Sequence, residues 1–222
     1  MQQTPVHEHH NPDLLRLIPL GARRLVEVGC SSGALARAYK ALSPDCHYLG
    51  IEIDENYTAL AERYCDQCVT LDIEAASDEF WRGCADVNCW IFGDTLEHLR
   101  NPWGVLQRVR ATIPTNGVVV ACIPNAQHWS LQARLSAGDF RYEVSGLLDK
   151  THLRWFTRQT MIELFEQTGF RIDVGTSRIF DEPEREKFLP IIEKMGQAAG
   201  VDPKIALADA LPLQYVVRAV PN

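Results

Sequence analysis

The sequence predicts an α/β fold with helices packed on a mostly parallel sheet, and three observations carry that reading. Short apolar runs rich in Val and Ile alternate with amphipathic stretches along most of the chain. Each run has the length of a strand and is closed by Gly, Asp or Pro. The chain has 222 residues, of which 46% are hydrophobic and 23% charged, which suits one large domain with insertions and excludes a disordered or fibrous chain.

The first strand is expected over Arg24 to Val28, followed by a helix over Gly33 to Leu42 whose apolar residues 35, 38, 39 and 42 share one face. The second strand, Tyr48 to Ile53, leads through Asp54 as N-cap into a helix over Glu55 to Tyr64. Strands over Cys68 to Leu71 and Val87 to Phe92 come next, then a helix that Asn101 caps with Pro102 at its first position. The fifth strand is Val118 to Ile123. The next clear helix, Thr157 to Thr168, is delayed by the stretch from Asn125 to Phe156 and stops at Gly169. Ordinary connections run to about 2 to 6 residues, so that stretch reads as a lid or binding segment. Two final strands, Phe170 to Phe180 and Gln214 to Val220, flank Asp181 to Leu213, where Asp202-Pro203 starts a helix. We read 1–222 as one domain, with an N-terminal arm or helix over 1–22, a ligand-side insertion over 125–156 and a helical insertion over 184–212.

Charge and composition exclude several functions. With 22 Lys and Arg against 29 Asp and Glu, and no basic run, a nucleic acid would meet net repulsion. The uncharged stretch from Ala111 to Ala133 is broken by Pro114, Asn116, Pro124, Asn125, Gln127 and His128, so no membrane span is expected. The N-terminus lacks the charged start and apolar run of a secretory signal, and a cytoplasmic location is expected. The 7 cysteines sit in apolar contexts and read as reduced thiols. Cys65 and Cys68 form a C-x-x-C with no second pair at zinc spacing.

The first strand runs through Gly29-Cys30-Ser31-Ser32-Gly33 straight into a helix, which turns backbone N–H groups towards a ligand above the strand ends. The spacing is not the G-x-G-x-x-G of a dinucleotide site, and Glu27 would repel a pyrophosphate while suiting an ammonium or sulfonium group. The segments E-V-G-C-S-S-G, G-I-E-I-D, L-D-I-E and G-D-T-L-E-H, in that order, resemble the motif series of the class I S-adenosylmethionine-dependent methyltransferases. The resemblance implies a Rossmann-like, seven-stranded sheet in the order 3-2-1-4-5-7-6 with strand 7 antiparallel, and S-adenosylmethionine as cofactor. It implies that the loop Gly29, Cys30, Ser31 and Gly33 makes room for the methionine part, with Glu27 reached by its ammonium. Glu52 would accept the ribose hydroxyls, Ile53 would pack on the adenine, Asp72 and Ile73 would read the adenine edge, and Asp94 and Thr95 would lie beside the sulfonium. Ser31 departs from the glycine usual in the family, at a position that favours positive φ.

The segments P-N-A-Q-H-W-S and L-L-D-K-T-H-L-R-W-F-T resemble a narrower branch of small-molecule methyltransferases often found beside glycosyltransferases. An alcohol acceptor must lose a proton as the new bond forms, for which a neutral imidazole is suited. His128 and His152 are the candidate bases, and a purely structural role is the alternative for each. His98, Trp129, Arg134, Tyr142, Arg154 and Trp155 are candidate acceptor-binding residues. Trp155 and Phe156 serve equally as a staple on the following helix, and Glu97 with His98 serves equally to fix the L-E-H turn. His7, His9 and His10 are read as a mobile arm over the cofactor rather than as ligands joining His128 or His152, and no metal is assigned. The expected function is O-methylation of a sugar or related small molecule, with a homodimer allowed. A non-catalytic cofactor-binding assembly module and a protein side-chain methyltransferase are the alternatives.

Overall fold

The structure is a computed structural model and describes residues 8–222. Seven strands, β1 (Arg24–Val28), β2 (His47–Glu52), β3 (Gln67–Thr70), β4 (Cys89–Gly93), β5 (Val118–Pro124), β6 (Phe170–Arg178) and β7 (Gln214–Pro221), form one sheet in the order β3-β2-β1-β4-β5-β7-β6. β1 to β5 pair in parallel, and β7 runs antiparallel to both β5 and β6. This is the order and polarity implied by the resemblance. β4 and β5 read almost entirely apolar because both faces of a central parallel strand are covered. β6, at the edge, alternates exposed and half-buried side chains after Phe170.

Nine α-helices are described: α1 (Pro12–Leu17), α2 (Ala34–Leu42), α3 (Glu55–Ala61), α4 (Asp78–Gly83), α5 (Pro102–Thr112), α6 (Trp129–Ser136), α7 (Arg158–Gln167), α8 (Leu189–Ala198) and α9 (Pro203–Ala210). Alternation along β4 feeds two cores. Trp90 and Phe92 join the core that includes Leu106 of α5 and Phe165 of α7, whereas Cys89 and Ile91 join Leu14, Leu35 and Tyr39 from α1 and α2. Trp81 on α4 stacks on Trp90 at 5.5 Å, which seats a short helix that no run in the sequence announces. The caps at Asn101 and Asp54 form as the residue types require, each accepting a backbone N–H with its side chain. Thr157 and Thr160 complete a reciprocal capping box on α7, and Phe156 just before it is buried in the same core cluster as Met161 of that helix.

The stretch after β5 is not one loop. Asn125 is fully buried and donates from Nδ2 to the carbonyls of Asp209 and Pro212, both at 2.8 Å, so the start of the insertion is tied to the end of α9. Within the stretch α6 forms, and the chain then returns through Leu148 to Phe156, both buried. α8 and α9 pack closely enough that a Cβ on Gly196 would lie 2.5 Å from Ala206 Cβ. Among the described residues, no helix is long and apolar enough to cross a membrane. His7 lies outside the described residues, His9 is exposed and His10 is half-buried.

Candidate active site

The cofactor motifs sit at the C-terminal ends of β1 to β4, where parallel strands leave a crevice. Gly29 and Gly33 adopt φ of 75° and 76°, and Ser31 between them adopts φ 48°. The loop is pinned from below: the Gly29 and Cys30 amides donate to Ile51 O at 2.8 and 3.1 Å, and the Ser31 amide donates to Glu52 Oε2 at 2.9 Å. A Cβ on Gly29 would lie 2.7 Å from Thr95 Oγ1, whose hydroxyl donates to Val28 O at 2.8 Å and so joins the ends of β1 and β4. Gly29→Ala therefore combines left-handed strain of roughly 1 to 2 kcal/mol with displacement of Thr95. Affinity for S-adenosylmethionine is expected to fall about tenfold or more by calorimetry; unchanged affinity would refute a tight Gly29–Thr95 contact as part of the site.

Glu52 is buried, and besides Ser31 it accepts from the Ile53 amide at 2.8 Å and the Asp54 amide at 3.3 Å through Oε1. Its carboxylate thus shapes the loop. Glu27 lies one residue inside β1, 5% exposed, and accepts from Tyr48 Oη at 2.9 Å. It lies in the strand beneath the loop, buried against Tyr48. Burial raises its pKa to about 8, opposed by the Tyr48 hydrogen bond and helped by the nearby Glu52 and Cys68. Asp72 caps the 3-10 turn Ile73–Ala75, accepting from Glu74 N at 2.9 Å, and pairs with Arg100 at 2.9 Å. Ile73 is buried in the core and Ile53 is exposed on the rim. Asp94 is exposed at φ 52°, with Oδ1 accepting from Cys122 Sγ at 3.4 Å and from Gln214 Nε2. All seven cysteines are free thiols.

Behind Thr95 the 3-10 turn Leu96–His98 carries Glu97, which is 1% exposed, with neither carboxylate oxygen hydrogen-bonded among the described residues. The Glu97 carbonyl accepts from Leu153 N at 2.8 Å and Arg154 N at 2.9 Å, which locks the end of the insertion against β4. This clamp brings His152 Nε2 to 3.9 Å from Glu97 Oε1 and sets the His98 and His152 rings 4.8 Å apart. Burial pushes the Glu97 carboxyl well above its ordinary pKa, with Asp94 adding to it. Burial also lowers both histidines, and His98 depresses His152 further, so these imidazoles are neutral near pH 7.

The other candidates separate by environment. His128 is fully buried, with Nδ1 2.8 Å from Ser130 Oγ and Nε2 3.1 Å from Glu182 Oε2, so both ring nitrogens are engaged within the protein. Trp129 donates to the same Glu182 oxygen at 2.9 Å and stacks on Phe188 at 5.5 Å in a cluster with Ile192 and Ala210. Both residues thus tie the start of α6 to Glu182, and Trp129 also packs against the start of α8. Arg134 is spent on Glu143 Oε1 at 2.5 Å and the Arg141 carbonyl at 3.1 Å, which folds the loop after α6. Arg154 donates to the carbonyls of Arg100 and of Leu153. Tyr142 and Trp155 remain exposed, and both lie beside Phe140 with ring centroids 5.8 Å away, an aromatic set in which Phe140 was not anticipated. Glu97, which the sequence pattern presents only as part of the L-E-H turn, joins these side chains in the fold, and its place directly before His98 is the signal for it.

Gly29's close approach to Thr95 and the carboxylate of Glu52 at the second strand end fit the cofactor that the motifs imply. The family model described as a methyltransferase domain matches residues 8–173. No curated protein matches the chain as a relative. Among solved structures, a Listeria monocytogenes protein provisionally described as an S-adenosylmethionine-dependent methyltransferase is similar with TM-score 0.63 at 13% identity, over 95% of this chain and 97% of its own. Magnesium protoporphyrin IX methyltransferase from Synechocystis PCC 6803, with bound S-adenosylhomocysteine, gives TM-score 0.56 at 10% identity, over 91% and 75% of the two chains. An O-methyltransferase from neocarzinostatin biosynthesis, in complex with S-adenosyl-L-homocysteine and 1,4-dihydroxy-2-naphthoic acid, gives 0.54 at 13% identity, over 91% of this chain and 50% of that one, so the chain spans half of that protein. At such identities the structures speak for the fold, and the family match speaks for more. Because that match spans every strand end carrying the cofactor motifs, the chain belongs to the class I S-adenosylmethionine-dependent methyltransferases, with S-adenosylmethionine as its cofactor.

Proposed function

We propose that this enzyme methylates a hydroxyl oxygen of a small molecule, a sugar or related metabolite, and that Glu97, His98 and His152 receive that hydroxyl. The carrying observation is this cluster of buried Glu97 and His152 with half-buried His98 immediately beyond Thr95, where the resemblance puts the sulfonium, bordered by the segment that bears Phe140, Tyr142 and Trp155. S-adenosylmethionine supplies an electrophilic methyl group, and the remaining task for the chain is to orient an oxygen in line with it. The three exposed rings offer apolar faces of the kind that stack on sugars or aromatic acceptors. That an O-methyltransferase in complex with 1,4-dihydroxy-2-naphthoic acid shares this fold supports an oxygen acceptor of modest size.

Incubation with labelled S-adenosylmethionine and a panel of nucleotide sugars and hydroxylated aromatics should yield a methyl ether. Label in a nitrogen-linked product or in protein side chains would overturn the oxygen assignment. On the identified acceptor, His152→Ala is expected to lower kcat by roughly a hundredfold with cofactor affinity nearly unchanged. His128→Ala, which unties α6 from Glu182, is expected instead to lower thermal stability along with activity. Equal kcat losses at unchanged stability in both variants would return His128 to the acceptor site.

A further inference from the structure

We propose that Glu97, His98 and His152 together bind a first-row divalent cation, whose open coordination positions take the acceptor's hydroxyl oxygen. The inference gives the methyl-transfer reading its chemistry and rests on that reading for its purpose, but not for its test. One ligand atom from each of the three residues lies within 4.8 Å of the others. Ligands around a metal at bond lengths of about 2.0 to 2.2 Å are separated by roughly 3 to 4 Å, so closure requires only small side-chain shifts.

Three features set this cluster apart from a chance grouping. Glu97 is buried with no hydrogen-bond donor to either oxygen among the described residues, and a carboxylate so placed needs a cation or a proton. Both imidazoles are oriented from outside the cluster. His152 Nδ1 lies 3.3 Å from Leu147 O, and His98 Nδ1 lies 3.2 Å from Thr151 O and 3.0 Å from Thr151 Oγ1. The Thr151 hydroxyl donates to Asp149 Oδ1 at 2.7 Å, so its oxygen must accept from His98. These contacts protonate Nδ1 and leave each Nε2 lone pair for a metal, the usual outer arrangement of metal-bound histidine. Finally, the two hydrogen bonds from Leu153 and Arg154 to the Glu97 carbonyl fix the distance between the turn and the insertion, which preorganises ligands far apart in sequence.

Two imidazoles and one carboxylate suit Mn²⁺, Fe²⁺, Co²⁺ or Zn²⁺, and three protein ligands leave positions open. A hydroxyl bound there becomes more acidic and loses its proton to water. Its oxygen then forms the O–CH₃ bond as the CH₃–S⁺ bond breaks, and the cofactor leaves as a neutral thioether.

Mn²⁺ is the probe, because it favours nitrogen and oxygen over the thiols elsewhere in the chain. Electron paramagnetic resonance on the chelator-treated full chain, without cofactor or acceptor, should find one bound Mn²⁺ per chain. Glu97→Gln and His152→Asn should each weaken that binding tenfold or more, and Mn²⁺ should raise Tm for the unaltered protein only. Equal Mn²⁺ binding by the unaltered protein and Glu97→Gln would overturn the site; His98→Asn supplies the same comparison if either variant fails to fold. Undiminished turnover after metal removal would overturn the cation's role, whereas intact Mn²⁺ binding without any methyl ether product would overturn the O-methylation reading instead.

Discussion

Replacing Glu52 with alanine is expected to weaken S-adenosylmethionine binding about a hundredfold. Two losses combine. The ribose hydroxyls lose the carboxylate that would accept from both, and the Ser31 amide loses the acceptor at 2.9 Å that holds the cofactor loop against β2. Hydrogen bonds to a charged group contribute about 1.5 to 3 kcal/mol each, and about 3 kcal/mol of lost binding corresponds to a hundredfold in Kd. The Ile53 and Asp54 amides lose their acceptor as well, so Tm should fall by a few degrees without loss of the fold. Glu52→Gln keeps one acceptor oxygen and should lie between the two. Calorimetric titration checks the prediction, and an alanine variant that binds the cofactor as tightly as the unaltered protein would remove Glu52 from the site. Asp72→Ala should cost less, because Asp72 already shares its charge with Arg100 on a more exposed rim.

Without cofactor, the protein should lose about 2 kcal/mol of stability as pH rises from 6.5 to 8, and Glu27→Gln should abolish most of that loss. Glu27 titrates near 8 in the folded chain, chiefly through burial, against an ordinary 4.5. Between those values the folded state holds a proton that the unfolded state has released, so stability falls with rising pH until the folded carboxyl itself ionises. Each pH unit well inside that window is worth about 1.4 kcal/mol, which gives the figure above and a drop of roughly 5 °C in Tm. His98, His128 and His152 act on the other side: burial lowers each, so their contribution is lost as pH falls below the ordinary imidazole value of 6.5. The cationic cofactor above the loop should favour ionised Glu27, so binding should release a proton at pH 7. Melting curves across this range and calorimetry in two buffers of different ionisation enthalpy test both statements; a flat profile between pH 6.5 and 8 would mean that Glu27 is already ionised in the folded protein.

The fold and cofactor rim were legible because they are written locally. Each parallel strand is a short apolar run of its own, and each motif lies where that run ends. Gly29, Glu52, Asp72 and Asp94 therefore occupy the same edge once the strands align. Even the serine at 31 could be flagged from the sequence, since a left-handed φ is a property of one residue's backbone. The short helix α4 escaped notice because its place comes from Trp81 stacking on a strand elsewhere in the chain, not from any period of its own.

The acceptor side was decided by tertiary contacts. Sequence pattern ranked His128 and His152 alike and set Trp129 beside Trp155, because it sees residue type and not partners. Hydrogen bonds to Glu182 then held His128 and Trp129 in buried positions, while the Glu97 carbonyl drew His152 towards a carboxylate with no hydrogen-bond donor among the described residues. What the sequence by itself determined is the strand order's cofactor edge and hence the reaction class. Which histidine keeps a free nitrogen depends on burial and on groups distant along the chain, and only the folded structure brings those together.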